Sequence, residues 1–70
     1  MNKKVEKKGN LIGIKFSNGE EKFHYKIIAD QLYESFMSME DEYHFSYQDE
    51  KMLIHYSRSY VIRVIYLKEE

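Results

Sequence analysis

Three histidines, His24, His44 and His55, recur in one setting, each between two apolar residues: Phe23-His24-Tyr25, Tyr43-His44-Phe45 and Ile54-His55-Tyr56. In an extended strand the neighbours of a residue point to the opposite face. If those neighbours face a core, the three imidazoles share the other side of a sheet. Arg63 is expected on that side too. Imidazoles grouped this way could ligate a metal, or with the guanidinium could hold an anion. The plainer alternative is a set of polar strand residues on a wet face, and we expect no metal site and no cofactor.

Covalent and acid–base chemistry find less support. The serines lack flanking nucleophile-elbow glycines. The carboxylates of Glu20-Glu21, Glu40 to Glu42 and Asp49-Glu50 fall in predicted turns. There they are solvated, whereas general acid work needs a raised pKa. Gly9, Gly13 and Gly19 are too dispersed for a phosphate loop. With no Cys, disulfides, thiolate metal sites and cysteine nucleophiles are excluded. The expectation is a protein that is not an enzyme.

The elements that position these residues follow from periodicity. Ile12, Ile14 and Phe16 alternate with Gly13, Lys15 and Ser17; Asn18-Gly19 follows; then Glu21, Phe23 and Tyr25 alternate with Lys22 and His24. Asn-Gly between alternating runs is a strong hairpin signal. A two-residue turn there sets Ile14 opposite Phe23 and Ile12 opposite Tyr25. Ile28, Leu32, Phe36 and Met39 recur every three or four residues, as one face of a helix does, and Ala29, Tyr33 and Met37 widen the stripe. A second hairpin is expected over Tyr43 to Tyr56, turning at Gln48-Asp49-Glu50-Lys51. It pairs Tyr47 with Met52, Phe45 with Ile54, and His44 with His55. Tyr60 to Leu67 reads as a strand apolar on both faces, with Val61, Arg63, Ile65 and Leu67 on one of them.

The predicted fold class is α+β: a small antiparallel sheet of about five strands, in the order β-β-α-β-β-β, with one helix packed on one face. Residues 1–8 read as a flexible basic tail and 9–70 as a single domain.

A chain of 70 residues has a marginal core, and domains of this size are commonly completed by a disulfide, a metal or a second subunit. One helix covers one sheet face, so Leu53, Val61, Ile65 and Leu67, with His24, His44, His55 and Arg63, form the candidate interaction surface. Such apolar patches mark association sites. A homo-oligomer with a protein partner is therefore expected. The alternative is a sheet curled around one barrel-like core.

A net charge of -1 argues against a dedicated nucleic-acid binder. Lys3, Lys4, Lys7 and Lys8 are the residues a nucleic acid would meet, and Tyr33 and Tyr60 the aromatics to test for exposure. No apolar run reaches the ~18–20 residues of a membrane span, and the basic start is not followed by a signal-peptide core. We expect no membrane partner and a cytoplasmic location. One Ala, two Arg and no Pro suggest an AT-rich bacterial genome, or a phage or mobile element within one. The expected role is a small protein-binding or inhibitor protein. The alternatives are a nucleic-acid-associated regulator and an oligomer that sequesters an anionic small ligand.

Overall fold

The computed structural model describes residues 9–69; the expected basic tail over residues 1–8 lies outside them. Five strands and one helix follow the α+β order: β1 (Leu11–Phe16), β2 (Glu21–Tyr25), α1 (Lys26–Ser38), β3 (His44–Gln48), β4 (Leu53–Ser57) and β5 (Val61–Leu67). All pairings are antiparallel. The strands divide between two sheets, β2-β1-β5 and β3-β4. The inner faces of both sheets close with α1 around Ile12, Ile14, Phe16, Ala29, Leu32 and Phe45. Each fully buried Ile, Leu or Phe in such a core contributes about 1.5–3 kcal/mol.

The first hairpin forms where expected but in another register. Ile12 lies opposite His24, Ile14 opposite Lys22 and Gly13 opposite Phe23. The loop holds three residues, Ser17-Asn18-Gly19. Phe16 N–H donates to Glu20 C=O, and Gly19 N–H to Phe16 C=O, both at 2.9 Å. Only Gly19 takes a left-handed φ, at 94°. Asn18 instead accepts from Glu20 N–H through its side chain, at 2.9 Å. This is the type I turn with a following left-handed residue, the next most common hairpin loop after the two-residue turn. One extra loop residue moves every β2 side chain to the other face. Phe23 and Tyr25 therefore point outward, and Lys22 and His24 inward.

Gly13 accommodates that exchange. A Cβ on it would meet Phe23 Cε1 at 2.8 Å, so the Phe23 ring lies across the bare glycine.

The second hairpin slides by two residues, which keeps its faces. Phe45 lies opposite Tyr56, and Tyr47 opposite Ile54. Asp49 replaces the missing glycine: its Oδ1 accepts Lys51 and Met52 N–H, both at 3.1 Å, and closes the turn. In β5 the register shifts where Phe16 meets Val61. This bulge turns Val61 onto the core and leaves Ile62 outside, reversing the expected faces of those two residues.

The helix ends one residue before Met39, which takes a left-handed φ of 59°. No basic residue lies in its last turn. Arg58 supplies the charge from elsewhere: Nη2 donates to Ser35 C=O at 3.1 Å, Nη1 to Phe36 C=O at 3.0 Å, and Nε to Asp41 C=O at 2.9 Å. The guanidinium also lies over the Phe36 and Phe45 rings. A cation at the negative end of the helix dipole, satisfying orphan carbonyls, ties the β4–β5 connection to the helix.

Candidate functional site

The outer face of β2-β1-β5 follows from the corrected register. Glu21, Phe23 and Tyr25 of β2, Leu11, Gly13 and Lys15 of β1, and Arg63, Ile65 and Leu67 of β5 share it. It has two ends. At the charged end Arg63 Nη2 lies 3.3 Å from Glu21 Oε2, across Lys15. At the apolar end Phe23 is 51% exposed, Tyr25 61%, Ile65 44% and Leu67 56%. Four large apolar side chains, each half exposed on one sheet face, form the kind of patch that a folded chain keeps for contact.

The eight residues expected to form one interaction surface do not lie together. Arg63, Ile65 and Leu67 lie on this outer face. His44, His55 and Leu53 lie on the outside of β3-β4, where the two imidazoles meet edge to face with centroids 5.8 Å apart. His44 Nδ1 is 3.8 Å from Asp41 Oδ2. Val61 and His24 face inward. The expected three-histidine face is thus divided by the one-residue register change. Among the described residues no group of three or more His, Cys, Asp or Glu is placed to hold a metal ion.

His24 joins an aromatic cluster between the sheets. Its Nε2 shares a 2.7 Å hydrogen bond with the Tyr56 hydroxyl, and its ring tilts against Tyr47 with centroids 4.9 Å apart. Burial, and then the charge of Lys22, hold its pKa below 6.5. Burial, and then the neighbouring Tyr47, push the Tyr56 phenol up to about 12. Both groups are therefore neutral at pH 7.

Beside them a groove of about 430 Å³ separates the first hairpin from the end of β4. Phe16 and Tyr56 contribute aromatic walls; Glu20, Lys22, His55, Ser57 and Tyr60 contribute polar groups. Among the described residues Lys22 has no ion pair through its ammonium group. Lys22, turned inward by the new register, is the groove residue that strand alternation alone placed on the wrong side. Of the two aromatics singled out for exposure, Tyr60 is exposed, whereas Tyr33 stacks on Tyr66 with centroids 3.9 Å apart.

Tyr66 belongs to a polar clasp at the far end of the sheet. Its hydroxyl donates to Asp30 Oδ1 at 2.7 Å, and Asn10 Nδ2 donates to the same oxygen at 2.6 Å. These bonds, Asn10 first, hold the Asp30 carboxyl below its usual 3.8. The bond to Asp30 raises the Tyr66 phenol. Glu69 N–H donates to Asn10 Oδ1 at 2.6 Å, so the clasp joins the start of β1 to the chain after β5.

Among the described residues no helix is long and apolar enough to cross a membrane. Comparison of the chain with family models, with curated proteins and with solved structures finds no match in any of the three.

Proposed function

We propose that the chain is a small non-enzymatic protein-binding protein, an inhibitor of the kind phages and mobile elements carry, that acts through a sheet surface as a homo-oligomer in the cytoplasm. The observation that carries this reading is the outer face of β2-β1-β5. Its apolar end holds Phe23, Tyr25, Ile65 and Leu67, while α1 and the β3-β4 sheet are occupied on the inner side. An inhibitor of this size acts by covering a partner's surface, and large aromatic side chains on a sheet suit that task because they lose little rotamer entropy. The residue usage fits an AT-rich bacterial genome, or a phage or mobile element within one.

The test is affinity capture from a bacterial lysate with the unaltered chain, Phe23→Asp and Leu67→Asp, alongside light scattering. A single dominant partner held by the unaltered chain and lost in both variants is the expected result. A partner retained by both would overturn the assignment of the face.

A second reading rests on the groove, where Lys22 and His55 with nearby hydroxyls would suit a small anionic ligand. A ligand identified by native mass spectrometry and lost in Lys22→Ala would favour it. Retention on nucleic acid that weakens steeply with salt would instead favour the regulator class.

A further inference from the structure

We propose that two copies of this chain join by pairing their β5 strands antiparallel about a two-fold axis at Ile65, making one six-stranded sheet. The inference rests on the homo-oligomeric reading above and names its interface.

The backbone groups of β1 alternate between its two neighbours. Phe16 N–H bonds to Glu20 C=O, and Lys26 N–H to Asn10 C=O. Residues 10, 12, 14 and 16 therefore turn their backbone groups to β2. By alternation, Leu11, Gly13 and Lys15 turn theirs to β5, where their partners are Leu67, Ile65 and Arg63. Val64 and Tyr66 are left with N–H and C=O pointing away from the sheet. Among the described residues β5 pairs with β1 alone.

The other strands treat their edges differently. The outward N–H groups of β3 belong to His44, Ser46 and Gln48, and each donates at 3.0 Å to a side chain: Asp41 Oδ1, Ser35 Oγ and Gln31 Oε1. The free edges of β2 and β4 border the groove. Both are five residues long, and β2 carries Glu21 and Lys22. Short edges resist pairing with another chain, and in β2 the charges add to that. β5 has seven residues, no Gly or Pro, and one charge, Arg63, which is engaged by Glu21 on the outer face. Among the described strands it is the longest, and such an apolar edge invites a further strand.

A second copy fits because a strand paired antiparallel with itself closes about a two-fold axis and leaves neither edge open. The register follows from the ends of β5. The bulge at Val61 and the strand end at Leu67 leave Arg63–Leu67 as the regular stretch, centred on Ile65. Pairing about Ile65 sets the outward groups of Val64 against those of Tyr66 of the second copy. It brings the two Ile65 side chains together on the outer face and keeps the two Arg63 charges apart. The Phe23–Gly13–Ile65 rows of the two copies then join end to end, and Leu67 of each copy lies opposite Arg63 of the other.

The absence of natural cysteine makes the test direct. Residues at a non-hydrogen-bonded antiparallel pair have Cα atoms about 4.5 Å apart, within the ~4.4–6.8 Å that a disulfide spans. Ile65→Cys should therefore oxidise at low micromolar concentration to a covalent dimer, roughly tenfold or more faster than Ile62→Cys on the same strand or Leu53→Cys on β4. Light scattering of the unaltered chain should read twice 8.6 kDa. A species of 8.6 kDa, or Ile65→Cys linking no faster than the two controls, overturns the interface. Phe23 is on the strand farthest from this axis. Thus a monomer whose partner is still lost in Phe23→Asp overturns the β5 pairing and leaves the protein-binding reading standing. A dimer that links at Ile65→Cys and holds no partner supports the pairing and removes that reading.

Discussion

Two sheet edges in this chain meet the same physical problem in opposite ways. At β3, Gln31, Ser35 and Asp41 each accept an outward N–H, and Gln31 Nε2 also donates to Gln48 C=O at 3.2 Å. That edge is closed by its own helix and the turn after it. At β5 the backbone of Val64 and Tyr66 points away from β1, which among the described residues is the one strand it pairs with, beside exposed Ile65 and Leu67. An unpaired edge bordered by apolar side chains is a template for another chain, whereas a capped edge is not. The contrast separates the side of the molecule that makes the fold from the side available for contact.

Truncation on the two sides should separate them most. Phe45→Ala removes a ring buried between both sheets and α1 and should cost about 3–5 kcal/mol. Leu67→Ala, measured at a concentration where the chain is dispersed, should stay within about 0.5 kcal/mol. Urea midpoints compare the two, and equal losses would break the distinction between the faces.

The next effect concerns Arg58. Arg58→Ala strips three carbonyls of a charged donor and should cost about 1.5–3 kcal/mol. Arg58→Lys should recover a minor part, because one ammonium cannot reach all three oxygens. Thermal unfolding of the three proteins checks this, and full rescue by Lys would show that charge alone is at work.

Opening the closed edge is a smaller change. Gln31→Ala removes one acceptor and one donor from β3 and should cost about 1 kcal/mol. It should also speed Gln48 amide exchange while leaving Val64 unaffected. Unchanged exchange at Gln48 would mean that the helix does not seal that edge.

The smallest effect is a pH slope from His24. Its folded-state pKa is lowered, chiefly by burial. The unfolded chain therefore takes up the proton first as pH falls. The stability tied to neutral His24 is complete above 6.5 and declines as pH drops through that value. His24→Gln should flatten the slope between neutral and mildly acid pH. Asp30 and Asp41, both held below 3.8, act in a separate window: their contribution is present above 3.8 and lost as pH falls through their folded values.

Much of the fold was legible because period is a local property. Ile12, Ile14 and Phe16, and the helical Ile28, Leu32 and Phe36, declare their elements without reference to the rest of the chain. Register is not local in that way. Asn18-Gly19 serves a two-residue turn and a three-residue loop equally well, and the choice decides whether Phe23 or His24 meets the core. Gly13 carried a clue, since a strand glycine commonly marks a close approach, here by the Phe23 ring. Three members of the expected surface, Arg63, Ile65 and Leu67, were placed on one face by alternation alone. Alternation puts Val61 on that face as well, and the structure turns it inward, because the bulge beside it depends on how β5 meets Phe16. Arg58 reads in the sequence as part of a polar turn. Its role at the helix end exists only once the β4–β5 connection is brought against α1.

The central claim is that β5 is an edge left for a second chain. Amide exchange at Val64 and Tyr66, followed against protein concentration with Ser46 and Gln48 as internal standards, tests it most directly. Protection at Val64 and Tyr66 should rise with concentration and fall on dilution, while Ser46 and Gln48 stay protected throughout. Fast exchange at Val64 and Tyr66 at every concentration, with Ser46 and Gln48 protected, would contradict the claim.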